Sequence, residues 1–459
     1  MNEKIVLIGA GSVVFTRGII ADLIRRNEKI ELALVDIDPK ALKIAQGLAK
    51  KMIHHQGSPI ILSGTTDRKK ALRNATVVIT TIGVGGRKAW EKDVYIPRKY
   101  GIYQPVGDSV MPGGTSRALR MIDAMVDIAR DVTDIAPKAI FFNYGNPMSA
   151  ICRGVRKATG ANIIGLCHGV FNSGNNLANI LGVTPSELRY TAIGVNHLTW
   201  FTNVKIGEID AFPKMRVLAE DALNNAEMKK DLGKQFWEAG TEKRGIATPH
   251  HKNLFCWQLF KAFNAYPVPG DRHACEFFGR MFASKNSYFG RTLGVDSYSF
   301  EHVIKYGNDI YAEHGKLALS RKPLSAEFFE SISGEHEQVI DIIESIRLNK
   351  GKSYSVNLPN EGQITNFPKD SIVESPAIAD AYGIKPVHQG AVSAAIAGTL
   401  ATRFQWVETV VEAALEGSRE KFIQALVLDG AVSSLDQAAR MSKELLSAQA
   451  QYLPRFKNI

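Results

Sequence analysis

Ile5-Val6-Leu7-Ile8-Gly9-Ala10-Gly11-Ser12 sets four apolar residues in a row before two glycines one residue apart. An unbroken apolar run of this kind fits a strand buried on both faces, as in parallel sheets. Glycines at 9 and 11 allow a tight turn and a close backbone approach where the next helix begins. A second apolar run, 32–35, ends on Asp36. Strand, glycine turn, helix, strand and acid in that order suit a dinucleotide: its diphosphate meets the helix N-terminus and its ribose hydroxyls meet the acid. Gly9, Gly11, Ser12 and Asp36 are therefore candidate cofactor residues. Val14 stands where the usual third glycine is found, and an α/β domain without cofactor is the alternative. An acid at this place repels a 2′-phosphate and so favours NAD over NADP.

Further apolar runs follow at 60–62, 77–80, 139–142 and 163–165, with helical patterns at 13–26, 39–55 and 116–135. Pro39 suits a first helical turn. This alternation predicts an α/β chain built on a doubly wound parallel sheet. Beyond Gly194 the pattern loosens into a mixed stretch over 205–270 and helical patterns near 302–319, 335–346 and 391–416. Asn357-Leu358-Pro359-Asn360-Glu361-Gly362 reads as a turn between two strand-like pieces. The expected division is a nucleotide-binding domain over 1–194 and a mixed α+β lobe over 195–459 for substrate, metal and oligomer contacts.

The 459 residues are 45% hydrophobic and 22% charged, as in an ordinary globular enzyme with a large core. The formal charge of +10 is scattered along the chain, with short clusters such as Arg68-Lys69-Lys70. That is a solvated basic surface rather than a nucleic-acid stripe, although it can draw an anionic substrate to a cleft. No apolar run reaches the length of a membrane span, and no signal-type segment precedes the first strand. Cys152, Cys167, Cys256 and Cys275 do not have the spacing of a disulfide scaffold, so reduced thiols and a cytoplasmic location are expected.

Cys167 follows the run 163–166, and His197 follows 192–195. Residues just past a strand's carboxyl end sit where open α/β sheets bind ligands. A thiolate and an imidazole can hold a borderline divalent ion and leave positions open for substrate oxygens. The alternative is a buried small side chain and a core histidine. Thr81-Ile82-Gly83-Val84-Gly85-Gly86 is either a second close approach to the cofactor or a plain glycine-rich loop. Three more pieces combine acids, amides and turn residues: the Asp108 loop with Gly113-Gly114, Asn143-Tyr144-Gly145-Asn146-Pro147, and Gly270-Asp271-Arg272-His273. Taken singly, each is equally a turn or a helix cap.

Together these pieces resemble the NAD- and metal-dependent glycoside hydrolases of family 4, which the general rule of two carboxylates per glycosidase excepts. The resemblance also includes Ile96-Pro97-Arg98-Lys99-Tyr100-Gly101 and Asn196-His197 and runs over most of the chain. Cys167-His168-Gly169-Val170 looks like the branch acting on unphosphorylated sugars, α-galacturonides first, with α-glucuronides and α-galactosides as near alternatives. Met111 departs from the glycine that many members carry.

The resemblance implies a Rossmann-type, lactate/malate dehydrogenase-like fold and a homodimer or homotetramer. It implies NAD held in part by Gly83 and Asn143, and a metal, Mn²⁺ by expectation, held by Cys167 and His197. It makes Asp271 the base and His168 the acid, and puts Asp108 and Asn146 against the sugar hydroxyls or the nicotinamide. Arg272, Lys252 and Arg280 are candidates for a uronate carboxylate. A true dehydrogenase of the lactate or malate type is the rival activity, and a cofactor-bound sensor is the third reading.

Overall fold

All six apolar runs of the first part form parallel strands in the computed structural model, which describes residues 3–224, 253–282, 299–332 and 338–456. They are β1 (Glu3–Ile8), β2 (Ile30–Val35), β3 (Ile61–Thr65), β4 (Val77–Thr80), β5 (Ile140–Asn143) and β6 (Ile163–Gly165), ordered 3-2-1-4-5-6. The order reverses between β1 and β4, the switch point beside which such sheets bind dinucleotides.

The run that opens the chain behaves as its composition requires. Val6 and Ile8 enter one apolar core and Ile5 and Leu7 enter the other, on opposite faces of the sheet. Each such burial contributes about 1.5–3 kcal/mol, enough to outweigh the loss of polar alternation. Helix α1 (Val13–Arg26) follows the glycine turn, and Asn27 in the left-handed region stops it. Helix α2 (Pro39–His55) starts on Pro39, with the Asp38 side chain accepting from Lys40 N–H.

The sheet does not end at β6. It continues through antiparallel strands β11 (Lys352–Pro359), β12 (Ile372–Asp380), β7 (Leu188–Val195), β8 (Leu198–Ile206) and β10 (Tyr266–Val268). Short strands β9 (Ile209–Asp210) and β13 (Gly383–Pro386) pair with β8 and β12. The division expected at 194/195 falls within β7, and the sheet runs unbroken there. β7 and β8 form a hairpin through only Asn196 and His197. A Cβ on Gly194 would lie 2.3 Å from Leu198 O, so a side chain there would prevent closure.

One helix differs from its pattern. The stretch 116–135 extends back to Met111, through Pro112-Gly113-Gly114. Those glycines read as a loop, but they serve packing within the helix. A Cβ on Gly113 would lie 2.8 Å from Gly107 O, and one on Gly114 would lie 2.5 Å from Ser109 C. Among the described residues no helix is long and apolar enough to cross a membrane.

Candidate active site

The turn after β1 is built by contacts that exclude side chains. Gly9 has φ +94°, and a Cβ there would lie 2.8 Å from Ile82 N. A Cβ on Gly11 would lie 2.7 Å from Asp36 Oδ2. Asp36 directly follows β2, accepts from Gly11 N–H at 2.7 Å, and through Oδ1 from Asp38 N–H at 2.9 Å. The acid thus braces the glycine turn. Ser12 is the N-cap of α1 but makes no side-chain cap hydrogen bond, so the first-turn N–H groups have no side-chain acceptor there. That is the chemistry a diphosphate needs.

Gly83 lies past β4, with the Arg117 guanidinium 3.7 Å from where its Cβ would stand. Asn143 requires a correction to its expected cofactor contact. Its Oδ1 accepts from Gly145 N–H and Thr80 O–H, and its Nδ2 donates to Gly145 O and Met148 Sδ. The amide is used up in shaping the 143–148 turn and has no group left for a ligand.

A second group of residues gathers at the β7–β8 turn. His197 sits there at φ +70° and is buried. Donor atoms of Asp108, His197 and His273 all lie within 4.8 Å of one another. The two imidazole rings are 3.9 Å apart between centroids. His197 Nδ1 is 2.7 Å from Ser109 Oγ, and Ser109 O–H donates to Asp108 Oδ1 at 2.9 Å. With the hydroxyl proton on Asp108, His197 Nδ1–H donates to the hydroxyl and leaves Nε2 with the lone pair. Asn146 Nδ2 donates to Asp108 Oδ2 at 3.1 Å.

Burial pushes the His197 imidazolium towards its neutral form, Arg272 adds to this, and Asp108 opposes it. His273 is driven well below the ordinary histidine range by burial first, then by His197, Arg272 and His168. Neutral imidazole is the form that binds metal. His273 Nδ1 is buried with no hydrogen-bond partner. A carboxylate, two neutral imidazoles and one orphaned ring nitrogen fit a divalent cation.

Cys167 is not one of these three donors. It stands half-buried past β6, with its sulfur accepting from Gly169 N–H at 3.3 Å. A Cβ on Gly169 would lie 3.1 Å from Pro269 Cβ and 3.3 Å from Cys167 Sγ, so the thiol flanks the segment that leads to His273. His168 is the N-cap residue of the helix Gly169–Leu181 and faces Phe15 at 6.1 Å between ring centroids.

Asp271 is 1% exposed. Its carboxylate accepts from Phe255 N–H at 3.0 Å and Cys256 N–H at 2.8 Å, at the start of the helix Leu254–Phe263. The expected base therefore also anchors a helix end. Arg272 donates to Pro105 O at 3.3 Å, Arg280 is exposed, and Lys252 lies outside the described residues.

Three features escaped the sequence reading. His273 stands in the Gly270–His273 motif, but its partner His197 lies 76 positions away and leaves no local signal. Arg117 lay in a helical pattern and carried no signal at all. Glu276 is fully buried, and its Oε1 accepts from Val106 N–H at 3.0 Å and Gly107 N–H at 2.8 Å, which holds the backbone just before Asp108. Burial, with the charge of Asp108, pushes its carboxyl up to about 8 against the pull of those N–H groups and Arg272.

Two family models match the chain: the family 4 glycosyl hydrolase over residues 4–183 and the family 4 glycosyl hydrolase C-terminal domain over 192–432. The chain belongs to the family 4 glycosyl hydrolases. This glycoside hydrolase is 31% identical to an α-glucosidase of Erwinia rhapontici, with 100% of both chains covered. It is 30% identical to an α-galacturonidase of Bacillus subtilis (strain 168), covering 93% of this chain and 92% of that one. A solved 6-phospho-α-glucosidase from gut microorganisms, in complex with NAD and Mn²⁺, superposes with a TM-score of 0.81 at 19% identity and covers 100% of both chains. Family membership sets aside the dehydrogenase and sensor readings of this hydrolase.

Proposed function

We propose that this family 4 glycosyl hydrolase cleaves α-galacturonides by transient oxidation at C3 of the glycone, with NAD and a divalent metal, Mn²⁺, as cofactors. The observation that carries this reading is one chain with two sites: an uncapped helix N-terminus behind a glycine turn, and a partly buried cluster of Asp108, His197 and His273. Neither is useful alone to a glycosidase. Together they allow a hydride to leave C3 and the neighbouring C2 proton to become acidic.

When bound, NAD takes up and later returns the C3 hydride while the metal polarises the C2 and C3 oxygens, so no NAD is consumed overall. His197 Nε2, Asp108 and His273 offer donors to the metal, and Cys167 joins them from the end of β6. Ser109 orients His197, and Asn146 orients Asp108. Asp271 takes the C2 proton, which has become α to a ketone. His168 gives a proton to the departing aglycone oxygen, and water then adds at C1.

The uronide reading is supported by Cys167-His168-Gly169-Val170, by the α-galacturonidase relative and by the Arg117 charge beside Asp108. The second reading is a neutral α-glucoside, favoured by the Erwinia rhapontici relative. A cytoplasmic location and a homodimer or homotetramer belong to the same proposal.

The test is hydrolysis of p-nitrophenyl α-galacturonide, α-galactoside and α-glucoside, with NAD⁺ and Mn²⁺ omitted in turn. Cleavage that needs both additions, is fastest on the galacturonide and accumulates no NADH is the expected result. Faster cleavage of a neutral glycoside would replace the substrate assignment, and cleavage without NAD⁺ would remove the redox mechanism.

A further inference from the structure

The helix Met111–Ile135 carries two arginines one turn apart, and their surroundings differ. Arg120 is fully consumed. It makes a two-point ion pair with buried Asp93, and its Nε donates to Val84 O at 3.0 Å. Arg117 is only half-buried, and its Nε donates to Asn146 O at 3.0 Å. Its guanidinium carbon lies 6.0 Å from the centre of the Trp90 ring. Trp90 is itself fixed by a hydrogen bond from Nε1 to Val106 O at 2.7 Å. Among the described residues, neither Nη1 nor Nη2 of Arg117 has a hydrogen bond or ion pair.

The guanidinium is therefore held at one edge and offers its other donors to whatever enters. Its neighbours mark the place: Asn146 bonds Asp108 of the cluster, and Nη2 lies 3.7 Å from where a Cβ on Gly83 would stand. Burial and the adjacent Arg120 weigh against its charge, while Asp108 and Asp93 support it. An anion of matching shape would relieve that deficit. A planar carboxylate meets a guanidinium through two parallel N–H donors, a match that an ammonium or a neutral hydroxyl does not reproduce.

We propose that Arg117 is the anchor for the glycone's carboxylate and hence the residue that sets the preference for uronides. This rests on the uronide reading above and adds the residue responsible for it. None of Arg272, Lys252 and Arg280, the arginines and lysine suggested by their place in the sequence, is needed for this role.

The experiment compares the full-length wild type with Arg117→Met and Arg117→Lys. Each is assayed on p-nitrophenyl α-galacturonide, on the matching galactoside and on the galactoside 6-phosphate, with NAD⁺ and Mn²⁺ saturating. Calorimetric binding of NAD⁺ and of free galacturonate is measured alongside.

Arg117→Met is expected to lower kcat/KM for the galacturonide about a hundredfold, mainly through KM, and to weaken free galacturonate equally. Galactoside hydrolysis should fall less than galacturonide hydrolysis, so that the galacturonide-to-galactoside ratio of kcat/KM drops about tenfold or more, because the neutral sugar loses no charge pair. Arg117→Lys keeps the charge but not the fork, and should lose about tenfold. It also carries the test if the Met variant does not fold.

A wild type that prefers a neutral glycoside would sink the uronide reading and the anchor together. A wild type that prefers the galacturonide, with the preference intact in both variants, would sink the anchor alone. Preference for the 6-phosphate lost on substitution would make Arg117 a phosphate site, and a fall in NAD⁺ affinity would place it in the cofactor site. Either result overturns the proposal.

Discussion

The β1–α1 turn and the β7–β8 turn are both too tight for an ordinary side chain, yet they meet the constraint differently. In the first, glycine takes every strained position: Gly9 has φ +94°, and Gly11 lies against Asp36. In the second, Gly194 makes room for the closure, but the positive φ falls on His197. Among the described residues, the other non-glycine positive-φ positions are Asn or Asp, apart from Met111. Asn and Asp tolerate that region best, histidine is found there less often, and methionine enters it only at a steric cost. The two exceptions flank the same place, because Met111 begins the helix that follows Asp108 and Ser109. The first turn leaves its backbone bare for a ligand. The second accepts strain in order to aim a side chain.

The comparison breaks most directly at His197. His197→Ala is expected to cost about a thousandfold in kcat/KM at saturating Mn²⁺, the worth of several kcal/mol of metal polarisation. Retention of metal-dependent activity would mean that the turn's strain has no catalytic purpose.

Asp271→Asn separates a base from a helix anchor. As the base, Asp271 should lose about a hundredfold or more in kcat with little change in melting temperature. As an anchor only, it should keep kcat and lower the melting temperature, since Asn offers one acceptor where Asp271 offers two to the N–H groups of Phe255 and Cys256.

Ser109→Ala removes the hydroxyl between His197 and Asp108. Mn²⁺ affinity, followed by calorimetry, should fall about tenfold to a hundredfold, as for other partners of metal ligands. An unchanged affinity would show that the turn alone orients the imidazole.

The smallest effect concerns Glu276, whose folded-state carboxyl is raised to about 8 from the ordinary 4.5. A raised pKa means that the folded protein holds the proton more tightly than the unfolded chain. This group's stabilisation is full below the unfolded value and is lost as pH rises through about 8. Glu374, raised to about 7 by burial despite bonds from Thr199 and Asn357, acts in the same direction. The melting temperature of metal-free protein should therefore drop progressively from about pH 4.5 up to about 8. Glu276→Gln should flatten the upper part of that drop. A drop of the same size in the variant would assign it elsewhere.

The parallel half of the sheet was legible because its information is local. Ile5-Val6-Leu7-Ile8 must be buried on both faces wherever it goes, and a helix beginning at Pro39 with Asp38 at its cap needs no distant partner. The same locality made Gly9, Gly11 and Asp36 readable as one unit. The helix start at Met111 was not legible, because Gly113 and Gly114 signal a loop unless Gly107 and Ser109 are known to press against them. Asn143 was overread for a related reason. Its residue type suits a ligand contact, and only the folded turn shows that all its hydrogen bonds are spent internally.

By itself, the sequence determined a nucleotide-type α/β half and a set of polar motifs pointing to one family, since both depend on residue type and short spacing. Tertiary structure alone decided which motifs share a site. It placed His273 beside His197 across 76 positions of chain and set Cys167 against the segment that leads to His273. Among the described residues, it also left Nη1 and Nη2 of Arg117 without a hydrogen bond while Nε is held by Asn146 O. Pairing, burial and the neutral state of an imidazole are properties of neighbours in space, and the chain specifies those neighbours only once its two halves close into one sheet.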